Sequence, residues 1–179
     1  MRRVIIVDSD DIVIGYKEGN ELAPTDTYRV SALWITDRSG NILLARRALT
    51  KEHDPGKWGP AVAGTVEEGE TYASNVIKEA EEELGLTNIK PAEGPKEKFS
   101  GEYKFFGQWY LLTLDGQNDD FVINREEVEE IKWFSKAELR KAIEEKPDDF
   151  LQSMGHLEKL LVPQDFGKMD PRNLLPKQS

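Results

Sequence analysis

Residues 64–86 read GTVEEGETYASNVIKEAEEELGL, and their spacing, G-x5-E-x7-K-E-A-E-E-E-L-G-L, decides how the rest of the chain is read. Apolar residues recur at helical intervals from Tyr72 to Leu84, and Gly85 follows the last of them, a residue suited to the left-handed position that closes a helix. At about 100° per residue, Glu79, Glu82 and Glu83 share one face of that helix. Ala73, Val76, Ile77, Ala80 and Leu84 occupy the neighbouring arc, so the expectation is a helix packed on a sheet with its acids at the margin of the core. Like charges this close cost a few tenths of a kcal/mol per i,i+4 pair unless cations lie between them. Hard carboxylate oxygens suit Mg²⁺, or Mn²⁺ in its place, ions that keep several waters and share phosphate oxygens. A Glu-rich helix alone ordinarily means a solvated face. Seven fixed positions are a stronger signal, since they would recur by accident roughly once in ten thousand chains of this composition.

The chain has 179 residues, 38% of them hydrophobic, which is enough to bury a core and sets one domain as the expectation. Its bounds are residues 1–162, with a hairpin and loop at 1–27 as part of it and 163–179 as a tail. A formal net charge of -10 argues against a general nucleic-acid binder, which works by neutralising phosphates, and leaves room for a small phosphorylated ligand. With no Cys there is no disulfide, thiolate metal site or Cys nucleophile. The N-terminus, MRRVIIVDSDD, has an apolar run too short for a signal peptide or a membrane span, so no membrane association and a cytoplasmic location are expected.

Outward from the central stretch, residues 4–7 and 12–16 read as a hairpin around Asp8, Ser9, Asp10 and Asp11. Residues 28–36 and 42–46 form a second hairpin, and 58–63 a short strand entering the central stretch. Pro91, Gly94 and Pro95 mark a loop, and 103–114 is the longest strand candidate, in which Gly107 signals a bulge or a close backbone approach. Residues 131–134 form another strand. Ser135 and Glu138 have capping-box spacing for a helix ending near Glu145, before Pro147, and the stripe Phe150, Leu151, Met154, Leu157, Leu160, Leu161 predicts a last helix over 149–161. Strands with few helices indicate a mixed sheet in an α/β or α+β domain.

The central stretch is similar to the Nudix box of the Nudix hydrolase family, G-x5-E-x7-R-E-U-x-E-E-x-G-U with U a bulky apolar residue. It matches at Gly64, Glu70, Glu79, Glu82, Glu83, Gly85 and Leu86. Two positions depart: Lys78 stands for Arg, keeping the charge without the planar fork that reaches a carboxylate in two directions, and Ala80 is a small U. The resemblance implies a Nudix fold, an α/β/α sandwich with a mixed sheet, and Mg²⁺-dependent cleavage of a diphosphate linkage in a nucleoside polyphosphate or nucleoside diphosphate derivative. It implies that Glu79, Glu82 and Glu83, with the carbonyl of Ala63, hold the metal, and that Glu70 and Lys78 support the loop and helix. Among candidates for the general base are box carboxylates and the later acids Glu126, Glu127 and Glu129, of which Glu127 is preferred. A homodimer is a further expectation, since family members often dimerise.

Upstream, Arg47 and Lys51, with Pro55, Gly56 and Trp58 beyond them, resemble a segment shared by type I isopentenyl-diphosphate isomerases and related Nudix hydrolases, in which basic residues meet a diphosphate. Ala63 stands where those isomerases carry a catalytic Cys and Thr65 where they carry a His, and the chain has only His53 and His156, which argues against the isomerase. Tyr103, seventeen residues after Leu86, has a spacing similar to that of dinucleoside polyphosphate hydrolases. Trp58 and Tyr103 are thus candidates to contact a base, against the ordinary reading of strand aromatics as core. A catalytically silent nucleotide-binding module on the same scaffold is the reading from another functional class.

Overall fold

The computed structural model describes residues 3–115 and 120–156. Nine strands make one sheet: β1 (Arg3–Val7), β2 (Val13–Glu18), β3 (Thr27–Asp37), β4 (Ile42–Arg47), β5 (Trp58–Pro60), β6 (Val62–Thr65), β7 (Ala92–Ser100), β8 (Lys104–Leu114) and β9 (Val128–Phe134). Among the described residues, two helices, α1 (Tyr72–Leu84) and α2 (Lys136–Glu145), complete the regular structure with three short 3-10 turns.

Strand β3 organises the sheet. One edge runs parallel to β8 over its whole length, from Thr27 opposite Lys104 to Asp37 opposite Leu114. Its other edge is divided among antiparallel partners: β1 at Thr27 and Tyr28, β6 at Val30–Leu33, and β4 at Ile35 and Thr36. Because successive strand side chains point to opposite faces, β3 feeds two cores. Leu33 and Ile35 pack with Leu43, Val62, Tyr110 and the α1 residues Val76, Ala80 and Leu84. Ala32 and Trp34 pack on the opposite face with Leu44, Trp109, Phe134 and Leu139 of α2. Helices thus cover both faces of a mixed sheet, the α/β/α sandwich of the expected fold class.

Helix α1 begins and ends where its sequence predicts. Thr71 and Ser74 form a reciprocal capping box, with Ser74 N–H donating to Thr71 Oγ1 at 3.1 Å and Thr71 N–H to Ser74 Oγ at 2.9 Å. Gly85 sits at φ 69°, and the amides of Gly85 and Leu86 donate to the carbonyls of Glu81 and Ala80. The apolar arc is narrower than its periodicity suggests: Val76, Ala80 and Leu84 are fully buried, whereas Ala73 and Ile77 face solvent. Ser135 caps α2 through the expected box with Glu138.

Three expectations are corrected. Gly94 and Pro95 lie inside β7, an edge strand, at a register shift between Glu93 and Lys96; Pro is tolerated at an edge bulge because its missing N–H is not needed there. Residues 58–63 are two strands that separate at Ala61, β5 pairing with β4 and β6 with β3. The helix predicted over 149–161 is not formed in its described part. Residues Pro147–Asp149 and Gln152–His156 make 3-10 turns that bury Phe150 and Met154 against the β3 face. Leu157, Leu160, Leu161 and the tail at 163–179 lie outside the described residues. Among the described residues, no helix is long and apolar enough to cross a membrane.

Candidate metal and diphosphate site

The acidic stripe of α1 lies against β6, and the two touch because one residue there has no side chain. A Cβ added to Gly64 would lie 2.4 Å from Glu79 Cγ and 2.8 Å from its Oε1, so the first Gly of the motif is the space that lets Glu79 lie across the strand. Four residues on, Glu83 is 9% exposed and receives a backbone N–H bond from Ala63. Burial pushes its carboxyl up to about 8, helped by the charges of Glu79 and Glu127 and opposed by the Ala63 amide and Lys51. Glu79 is also raised, by burial first and then by Glu82 and Glu70, against the pull of Lys78. Glu82, the third member, is exposed on the same side.

The loop between β6 and α1 is held from two directions. Strand β1 pairs with its first half, Ile5 N–H donating to Val66 O and Glu68 N–H to Arg3 O at 2.7 Å. Glu70 turns back into the loop, accepting from Glu67 N–H at 3.0 Å. Lys78 then joins loop to helix, its ammonium 2.8 Å from Glu70, 3.1 Å from Glu79 and 3.5 Å from Glu67. For Lys78, burial works against the charge, but Glu70 and Glu79 outweigh it and raise the pKa. For Glu70, burial is outweighed in the other sense by Lys78, the Glu67 amide and Asn75, so its carboxyl titrates below the usual range.

A second wall comes from far along the chain. The segment after β8 wraps the end of α1: Val122 N–H donates to Leu84 O and Asn124 N–H to Glu83 O, each at 2.9 Å. It then turns through Asn124 and carries Glu127 beside Ala48, whose N–H donates to Glu127 O. Lys51 closes the arrangement with its ammonium 2.5 Å from the Glu127 carboxylate. Glu79, Glu82, Glu83, Ala63, Arg47, Lys51 and Glu127 consequently line one cavity of about 450 Å³. Glu126 and Glu129 do not line it.

Beside it lies a second cavity of about 490 Å³ that shares Arg47, Pro60, Ala63, Gly64 and Thr65 as a wall. Its far side is aromatic: Tyr28, Phe99, Tyr103, Phe105 and Trp109. The rings of Phe99 and Phe105 stack at 4.7 Å, and Tyr103 bonds through its hydroxyl to His53 Nδ1 at 3.0 Å. Phe105, Gly107 and Trp109 alternate along β8 and so present one face to this cavity, with Tyr103 just before the strand. Trp58 lines neither cavity. Its ring packs edge-on against Phe134 at 5.5 Å beside the α2 core, so of its two sequence readings the structure places it with the core.

Sequence reasoning did not single out Asn75, Glu67, Asn124, Tyr28 or Phe99. Asn75 had a readable signal, because it falls four residues before Glu79 on the stripe that continues to Glu83. Among the described residues, no three acidic or histidine side chains already converge on one point as a finished ligand set. The donor chemistry nevertheless fits a hard divalent cation: carboxylates on one rigid helix, one of them buried with a raised pKa, line a cavity that Arg46, Arg47 and Lys51 also line.

An α/β/α sandwich whose box helix lays carboxylates against a glycine strand defines the class of Nudix domain proteins, and the NUDIX domain family model matches residues 26–154. A Nudix hydrolase of Yersinia pestis without assigned activity is 30% identical over 170 residues, covering 94% of this chain and 92% of that one. Among solved structures, DR0079 from Deinococcus radiodurans superimposes with a TM-score of 0.67 at 23% identity, covering 80% of this chain and 89% of that one. A C. elegans Ap4A hydrolase does so with a TM-score of 0.55 at 23% identity, covering 74% and 93%. The chain belongs to the Nudix hydrolase family.

Proposed function

We propose that this chain is a Mg²⁺-dependent hydrolase of a diphosphate linkage in a small nucleoside polyphosphate or nucleoside diphosphate derivative, with Mn²⁺ able to replace Mg²⁺. The observation that carries the proposal is the shared wall between an acidic, partly basic cavity and an aromatic one. A diphosphate in the first places its attached moiety in the second. Flat rings there suit a base, because every base offers a π face to an aromatic side chain.

Glu79, Glu82 and Glu83, with the Ala63 carbonyl, would hold the ion, which supplies polarisation of the phosphoryl oxygens and neutralises charge developing on them. Lys51 and Arg47, which line the same cavity, bind the phosphates. Glu127 accepts the proton of the attacking water once Lys51 turns to the substrate. Lys78 and Glu70 keep loop and helix in register, and Tyr103 borders the base. The wall at positions 63 and 65 carries a methyl group and a hydroxyl, so no double-bond migration in isopentenyl diphosphate is expected.

The test is a nucleotide panel, including dinucleoside polyphosphates, assayed for released phosphate or pyrophosphate with Mg²⁺ for wild type and Glu83→Gln. Loss of roughly a hundredfold or more in kcat is expected for the variant. Turnover that survives Glu83→Gln unchanged refutes the metal assignment, and tight binding without turnover of any panel member points to a silent binding module.

A further inference from the structure

Asn75 is fully buried, and its amide stands at the meeting point of four elements. Its Oδ1 accepts from Ser31 Oγ on β3 at 2.6 Å. Its Nδ2 faces the Glu70 Oε2 of the loop at 2.8 Å, the Thr65 carbonyl of β6 at 3.2 Å and Glu79 Oε1 at 3.3 Å. The orientation of this amide is dictated by its surroundings, because two carboxylates and a carbonyl on one side accept only from an NH₂ group. Lys78 approaches the same two carboxylates from elsewhere, at 2.8 Å from Glu70 and 3.1 Å from Glu79. An ammonium is a point charge on a flexible stem; it attracts both carboxylates without fixing the direction of either. Asn75 supplies what it lacks, a planar donor locked by Ser31 and directed at both acids.

We infer that Asn75 is a positioning residue for the metal site: with Lys78 it forms a two-part clamp on Glu70 and Glu79 that holds Glu79 in the rotamer needed by a divalent ion. The inference rests on the metal reading above. A side chain that orients a ligand without touching the ion typically changes metal affinity by about 10–100-fold when removed. Arg at position 78 presents several donors in a fixed fork and takes over both arms.

The experiment is calorimetric titration of the full chain with Mn²⁺ alone, for wild type, Asn75→Ala, Lys78→Arg and the double variant, each checked for folding by circular dichroism. Asn75→Ala is expected to weaken Mn²⁺ binding about tenfold or more, and adding Lys78→Arg to restore it to within about threefold of wild type. A role in packing alone gives no such rescue, because a guanidinium on residue 78 does not refill the space at 75. Should Asn75→Ala fail to fold, Ser31→Ala removes only the bond that orients the amide and is expected to weaken Mn²⁺ binding about threefold. Unchanged affinity in the variants, or an absence of rescue, overturns the clamp. Failure of the wild-type chain itself to take up Mn²⁺ overturns the metal reading, and the clamp with it.

Discussion

Glu83→Gln should make the metal-free protein more stable while destroying its activity. The Glu83 carboxyl is pushed from 4.5 to about 8 by burial and by Glu79 and Glu127. A carboxyl whose folded pKa lies above its unfolded value binds more protons when folded, so stability is lost as pH rises from about 4.5 toward about 8. At pH 7, with each unit equivalent to 1.36 kcal/mol, the penalty is on the order of 3 kcal/mol. The amide of Gln keeps an acceptor for the Ala63 N–H, but its own NH₂ needs a partner, so a net gain of about 1–2 kcal/mol is expected. In a chain of this size that raises the melting temperature by about 3–6 °C. Differential scanning calorimetry in chelator at pH 8 and pH 5.5 measures it, and the advantage should shrink at the lower pH. With saturating Mg²⁺ the order should reverse, because ligand binding stabilises only the variant that retains the site. An apo variant that melts at or below wild type at pH 8, or a difference that ignores pH, would refute the burial argument.

Gly64→Ala places a methyl carbon 2.4 Å from Glu79 Cγ and forces that side chain to move; kcat should fall by roughly a hundredfold, with a melting temperature that also falls, both measured on the Mg²⁺-loaded protein. Phe105→Ala opens the aromatic cavity without touching the acids, so KM for the best nucleotide should rise about tenfold, in line with the loss of one stacking contact, while kcat stays within about threefold. Thr71→Ala removes the capping-box acceptor of Ser74 N–H and should cost about 1 kcal/mol, read as a lower denaturant midpoint with an unchanged slope.

What the sequence made legible is what a single helix can encode. The spacing of Glu79, Glu82 and Glu83 places them on one face whatever surrounds them, and Gly85 ends α1 by a local backbone rule. Gly64 was readable only as a motif position, because its reason is the side chain of Glu79, on the helix, lying across the strand that Gly64 belongs to. Pro95 misled for a related reason: its missing N–H signals a break, and only the pairing of β7 with β8 shows that an edge bulge has no use for it. The stripe at 150–161 misled because apolar spacing constrains which residues are buried more than how the backbone turns between them. Phe150 and Met154 are buried, as their spacing requires, from 3-10 turns.

The wall opposite α1 lay beyond any local rule, and it is where the chemistry of the helix is completed. Glu83 and Glu127 are far apart in sequence, yet Asn124 N–H bonds to the carbonyl of Glu83 itself, so the backbone of the helix proposed to hold the metal anchors the loop that carries the proposed base. Lys51 reaches the same acid from the loop after β4. Its ammonium partners Glu127; a diphosphate bound at Arg47 and Lys51, as proposed, would compete for that ammonium. On that reading one arrangement does two jobs, offsetting the Glu127 charge beside Glu83 in the free protein and releasing Glu127 when phosphate oxygens take up the ammonium. The acidic helix face therefore has to sit at the border of the core: deeper, and its charges could not be offset, while farther out Glu83 would be solvated and have little need of a cation.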